Sequence, residues 1–279
     1  MNRRRFLKRA ALATLGATAA GGVYPFLEAK WCRVTPQTVV LPRLPNAFDG
    51  TTIALLADIH HGQYVPLAYI RRVVEMTNAL RPDIVVLAGD LVDRDAAYIE
   101  PGVAALAKLE GKLGRFAVLG NHDNRGYAPR SRAAVDASGF DRIDNRGVWL
   151  ERGGDRLRIG GVGDLWTDFQ DPLSAIGDAT EADSVILLSH NPDYAERLLD
   201  DRVSLMLSGH THGGQVIIPG YGAPVVPSDY GQKYVYGLNQ GPRCQVFTTR
   251  GVGTISPPVR FLCRPEIALI TLRGSDGSA

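Results

Sequence analysis

The chain has 279 residues, 45% of them hydrophobic, enough to bury a real core in one large domain or two small ones. That composition excludes disorder, collagen-like repeats and a disulfide-stapled miniprotein. The formal charge of +2 is an average of unlike parts: residues 1–20 carry Arg3, Arg4, Arg5, Lys8 and Arg9 and no acid, leaving 26 basic against 29 acidic groups elsewhere. A mildly acidic body with few aromatics argues against a broad grip on nucleic acid, and no nucleic-acid partner is expected.

Chain order begins with a leader over residues 1–30. The basic start runs into Ala10–Leu27, which has no charge, with small residues at Ala17-Thr18-Ala19, the makings of an export signal. Arg3-Arg4-Arg5-Phe6-Leu7-Lys8 resembles a twin-arginine signal, which would hand the folded protein to the twin-arginine export machinery. The same stretch also reads as an uncleaved membrane anchor, although Gly16, Gly21, Gly22 and Pro25 weaken such a helix. Either reading places the body in the periplasm or on the outer face of the cytoplasmic membrane, with membrane association, and the leader outside the fold.

From residue 51 onward, short apolar runs alternate with helical patterns. Ile53–Ala57 predicts a buried strand. Pro66 opens a helix carrying Ile70, Val73, Val74, Met76 and Leu80, and Pro82 closes it. Ile84–Ala88 is the next strand, followed by a helix through Val103, Leu106 and Leu109 that stops at Gly111. Phe116–Leu119 is a third strand, and 149–162 reads as a hairpin turning at Gly153-Gly154. Val185–Leu188 and Val203–Leu207 are two more buried strands, with a helix expected from Pro192 to Leu199 between them. The tail from Gln215 to Leu272 is Gly- and Pro-rich and strand-like. With no repeat or linker, the body over 50–272 is one layered α/β domain.

Three cysteines, Cys32, Cys244 and Cys263, form no C-x-x-C pair. Cys244 and Cys263 could bridge in an oxidising compartment, but apolar surroundings favour buried or free thiols.

Each apolar strand is followed by a polar cluster: Asp58-Ile59-His60, then Gly89-Asp90-Leu91-Val92-Asp93, then Gly120-Asn121-His122-Asp123, then Ser189-His190-Asn191, then Gly209-His210-Thr211-His212. Ligands collect beyond the carboxyl ends of strands in α/β sheets, so these clusters should converge. Carboxylate, imidazole and amide donors without thiolates suit first-row divalent cations, and a carboxylate can bridge two of them.

As a set, D-x-H, G-D-x-x-D, G-N-H-D, a lone His after a strand and G-H-T-H resemble the calcineurin-like metallophosphoesterases. The resemblance implies a four-layer α/β/β/α sandwich with mixed sheets flanked by helices. It implies two divalent metal ions (Mn, Fe or Zn), one held by Asp58, His60, Asp90 and His212, the other by Asp90, Asn121, His190 and His210. It further implies in-line attack on phosphorus by a hydroxide bridging the metals, with His122 stabilising the transition state or protonating the leaving oxygen and Asp123 orienting its ring. Asp93 reads as a residue behind the ligands or a turn former. His61 is either solvent-facing or a contact to substrate phosphate. The tail motifs Gly213-Gly214-Gln215, Arg250-Gly251-Val252-Gly253, Pro258-Val259-Arg260 and Arg264-Pro265-Glu266-Ile267 are similar to the exported or membrane-associated bacterial branch, some of whose members resemble UDP-2,3-diacylglucosamine hydrolases of lipid A assembly. Arg250 and Arg260 are open between substrate phosphate and structural salt bridges. The expected partner is a small or lipid-linked phosphate ester. The competing readings are a catalytically dead metal-binding envelope protein and a phosphomonoesterase or nuclease of the same superfamily.

Overall fold

A computed structural model describes residues 22–275. Its strands, in chain order, are β1 (Arg33–Leu41), β2 (Thr52–Leu56), β3 (Ile84–Ala88), β4 (Gly114–Val118), β5 (Asp141–Arg142), β6 (Arg146–Arg152), β7 (Asp155–Gly161), β8 (Val185–Leu188), β9 (Val203–Ser208), β10 (Gly237–Gln240), β11 (Gln245–Thr248) and β12 (Glu266–Gly274). They form two six-stranded sheets, ordered β1-β12-β2-β3-β4-β5 and β10-β11-β9-β8-β7-β6. Both are mixed: β2, β3 and β4 run parallel, as do β7, β8, β9 and β11, while β12 pairs antiparallel with β2, and β6 and β10 are antiparallel edges.

The period of two in a strand decides the layering. In the first sheet Ile53, Leu55, Ile84, Val86, Phe116 and Val118 face Leu157, Ile159, Ile186, Leu188, Leu205 and Leu207 of the second, making the central core. The alternate residues Ala54, Leu56, Val85, Leu87 and Ala117 turn to the other side. There they meet Ile70, Val73 and Val74 of α1 (Leu67–Ala79), Val103 and Leu106 of α2 (Ile99–Leu106) and, beyond the single turn α3 (Asn121–Asn124), Val135 of α4 (Ala128–Ala137). On the far side of the second sheet, Val185, Leu187 and Met206 pack on Ala175 and Ile176 of α5 (Pro172–Ile176) and on Tyr194 and Leu198. Four layers result, α/β/β/α, each sheet being apolar on both faces as buried parallel sheets require.

Three expectations change. Residues 192–199 form only a short 3-10 helix, Pro192–Glu196, capped by Asn191, whose side chain accepts the Asp193 amide. The sheet starts before residue 50: β1 lies in parallel register along all of β12, with Pro36 tolerated on this edge. Most of the expected leader falls on residues 1–21, outside the described residues. Its last part does not stand apart from the fold, since residues 22–28 are helical, Glu28 is buried, and its carboxylate accepts the amides of Leu262 (3.0 Å) and Cys263 (2.7 Å). Among the described residues no helix is long and apolar enough to cross a membrane. The Cys244–Cys263 bridge is absent: both are buried free thiols, and burial pushes the Cys244 thiol up to about 12.

Candidate metal centre

Five strand ends deliver the site. β2, β3 and β4 run parallel in one sheet, β8 and β9 in the other, so their carboxyl ends open on one edge of the sandwich. Asp58, His60, Asp90, His190, His210 and His212 are all at least nine-tenths buried there. The turns that aim them inward are tight. Asp58, His60, Asp90, His210 and His212 all take left-handed backbone, with φ between 48° and 71°. A non-glycine residue rarely holds that conformation, and a cluster of them is typical of functional sites. Gly89, at φ +87°, is required on two counts: a Cβ there would stand 2.6 Å from His190 Nδ1.

Asp90 occupies the middle. Its Oδ1 accepts the His122 amide at 2.8 Å. Its Oδ2 lies 3.5 Å from His60 Nε2 and 3.3 Å from His190 Nε2, so one oxygen faces two imidazoles from opposite sheets. On one side His60 Nε2 meets His212 Nε2 at 3.0 Å, and His212 Nε2 is 3.4 Å from Asp58 Oδ1. On the other, His190 Nε2 is 3.2 Å from His210 Nδ1.

These distances and donors fit cations. Ligand atoms about 2.0–2.2 Å from a shared ion stand roughly 2.8–3.6 Å apart in octahedral or tetrahedral arrangement. His190 Nδ1 donates to the Ala88 carbonyl at 2.7 Å, which fixes the ring's orientation and turns Nε2 toward Asp90, the usual arrangement of a metal-ligating histidine. Asn121 Oδ1 is buried with no hydrogen-bond partner among the described residues. Two groups of donors, Asp58 with His60 and His212, and Asp90 with His190 and His210, are compact enough to hold an ion each.

The electrostatics agree with a site that needs positive charge. Burial pushes the Asp58 carboxyl up to about 7 despite the pull of His190. Burial opposes charge on His190, yet Asp90 and Asp58 hold that ring up at about 10. Burial drops His60 to about 4 and His210 to about 3, so both rings are neutral and able to ligate at neutral pH.

His122 sits at the mouth, its ring edge-on to His60 with centroids 4.7 Å apart. Its Nδ1 donates to the Asp93 carbonyl at 2.7 Å and lies 3.5 Å from the Asp93 carboxylate. Burial lowers its basicity, but the Asp93 bond and Asp90 outweigh it and the ring ends above its ordinary value. Nε2 makes no hydrogen bond among the described residues. The ring is therefore oriented by Asp93, not by Asp123. Asp123 is buried, and its carboxylate accepts the amides of Leu91, Val92 and Gly120, tying the Asp90 turn to the Asn121 turn.

The other expected substrate contacts go elsewhere. His61 is neither solvent-facing nor in the site: it is buried, donates from Nδ1 to the Val65 carbonyl and packs edge-on to Tyr98. Arg260 is wholly buried, and its Nη atoms donate to the carbonyls of His212, Cys263, Arg250 and Gly253. Arg250 pairs with the buried Glu266 at 3.3 Å and lies over the Tyr236 ring. Sequence reasoning overlooked Asp164 and Trp166. The signal was present, since Gly163-Asp164 follows β7 as Gly89-Asp90 follows β3.

Residues 51–214 match the family model described as calcineurin-like phosphoesterase. The chain belongs to this family. It is 35% identical to the metallophosphoesterase YkuE of Bacillus subtilis, over 99% of both chains. It is 31% identical to the phosphodiesterase YaeI of Escherichia coli, over 98% of this chain and 99% of that one. A zebrafish (Danio rerio) transmembrane protein with metallophosphoesterase domain is 29% identical over 95% of this chain and 63% of its own length. The chain is a metal-dependent phosphoester hydrolase, and its described residues supply the compact donor groups that divalent cations of this family require.

Proposed function

We propose that the protein is a binuclear phosphodiesterase acting outside the cytoplasm, on a small or lipid-linked phosphodiester or pyrophosphate. The observation that carries the binuclear reading is Asp90 Oδ2, placed within 3.5 Å of imidazole nitrogens from two separate strand ends. Asp58, His60, Asp90 and His212 would hold one cation, and Asp90, Asn121, His190 and His210 the other. Cations so held supply an activated water and neutralise charge on the phosphoryl oxygens. The chain's own residues do the rest. The left-handed turns fix the donors before substrate arrives, so little reorganisation is left for the reaction. Asp93 sets the His122 ring, whose Nε2 offers a proton to the departing ester oxygen. Manganese suits this mixed N/O donor set, with iron and zinc as alternatives.

Activity on diesters is supported by the relative named a phosphodiesterase. Export is supported by the basic, uncharged-then-small leader, and membrane association by the relative named a transmembrane protein.

The test is turnover by the Mn²⁺-loaded protein of bis(p-nitrophenyl) phosphate, p-nitrophenyl phosphate and a UDP-sugar lipid, side by side. Diester or pyrophosphate hydrolysis exceeding monoester hydrolysis is expected, and it should vanish in His122→Ala. A protein with two bound metals and no turnover of any of the three would overturn the reading.

A further inference from the structure

The loop after β7 carries an indole to the rim of the site. The Trp166 ring stands edge-on to the His210 ring, centroids 4.3 Å apart, and is 48% exposed. The other two tryptophans are occupied: Trp149 lies under the Arg156 guanidinium at 4.0 Å and donates from Nε1 to Asp178, while Trp31 packs on Tyr24 and Arg264. Trp166 has neither a cation over its face nor a partner for Nε1 among the described residues.

Its loop is held rigid. Asp164, fully buried, accepts the Trp166 amide at 3.0 Å, the Thr167 amide at 2.9 Å and the Thr167 hydroxyl at 2.7 Å. Arg132 of α4 binds Asp168 at 2.8 Å, and Asn124, in the same turn as Asn121 and His122, donates to Thr167. Half an indole exposed on a mobile loop would be ordinary. Here it is fixed from both sides beside a candidate ligand, and a large aromatic left uncovered there has the geometry of a stacking platform.

We infer that Trp166 is a specificity-determining residue which stacks a flat aromatic group of the substrate, an aryl or nucleobase ring attached near the phosphate. This rests on the phosphoester-hydrolase reading of the adjoining site. A ring stacked on Trp166 sits one imidazole away from the donors around His210, so its phosphate reaches the cluster while its flat part stays at the rim.

The experiment compares methyl phosphate, phenyl phosphate, decyl phosphate and inorganic phosphate as competitive inhibitors of bis(p-nitrophenyl) phosphate hydrolysis by the Mn²⁺-loaded protein. Phenyl phosphate should inhibit roughly five- to tenfold better than methyl phosphate. Trp166→Ala should erase that preference while leaving inhibition by inorganic phosphate unchanged, and Trp166→Phe should retain part of it. An unchanged preference in Trp166→Ala overturns the assignment. So does a parallel loss for inorganic phosphate, which would make Trp166 a prop for His210, and so does decyl phosphate surpassing phenyl phosphate through Trp166. A second readout needs no turnover: para-nitrobenzylphosphonate should quench indole emission in Trp31→Phe and Trp149→Phe but not in Trp166→Phe. Quenching that ignores Trp166 counts against the platform. Quenching through Trp166 without hydrolysis of any ester leaves the platform standing and removes the catalytic reading instead.

Discussion

Two buried polar networks lie side by side in this fold, and they differ in one respect. Around Arg260 the Nη donors all reach carbonyls, and Glu266 is met by Thr35, Thr249, the Arg250 amide and the Arg250 guanidinium. Around Asp90 the donors face one another instead: imidazole nitrogen against imidazole nitrogen, and carboxylate oxygen against two imidazoles, with His60 Nδ1, Asn121 Oδ1, His210 Nε2 and His212 Nδ1 unpartnered among the described residues. Burial and charge are common to both. Saturation separates them: in the first network only Arg250 Nε and Arg260 Nε lack a partner among the described residues, and the second is arranged for something from outside.

Substitutions can break this contrast. Asp90→Ala removes the oxygen shared by both halves, and hydrolysis of a phosphodiester by the metal-loaded protein should fall at least roughly a thousandfold, with bound metal, counted by atomic emission, falling below two per chain. Retention of both would refute the central role of Asp90. Asp93→Asn should lower kcat by roughly ten- to a hundredfold, because it loosens His122 and His60 without removing a donor atom. Asp123→Asn should instead lower the melting temperature and leave kcat of the folded fraction within about threefold; the reverse ranking of these two aspartates would restore Asp123 as the orienting residue. Arg260→Met should cost about 3 kcal/mol by stranding buried carbonyls, seen as a melting temperature about 6–12 °C lower, with activity per folded molecule nearly intact. The smallest effect is expected for His61→Phe, a change below about threefold in kcat/KM; a larger one would return His61 to the substrate.

The sequence made the donors legible because each stands directly after an apolar run, and strand ends in parallel sheets converge. It made the layering legible for the same reason, since runs such as Ile84–Ala88 are apolar on both faces. What it could not separate was Asp93 from Asp123. Both lie within a few residues of a ligand, and only the approach of the β3 turn to the β4 turn shows which carboxylate lies behind the His122 ring. Arg250 and Arg260 were ambiguous because a guanidinium suits phosphate, carboxylate and carbonyl alike; the Glu266 ion pair decides for Arg250 and complete burial for Arg260. β1 was missed because its first six residues, Arg33 to Thr38, are mostly polar and include Pro36, as befits an edge whose pairing with β12 is a long-range event. A helix was expected over 192–199, but only Pro192–Glu196 wind, and as a 3-10 turn.

The left-handed turns at Asp58, His60, Asp90, His210 and His212 carry a consequence for anyone engineering this protein. Among the described residues, nine non-glycine positions have positive φ, and these five make up most of them. Each such residue costs on the order of 1 kcal/mol that glycine would not. A library selected for thermal robustness alone should therefore drift toward glycine at these positions, yielding sturdier proteins that hydrolyse nothing.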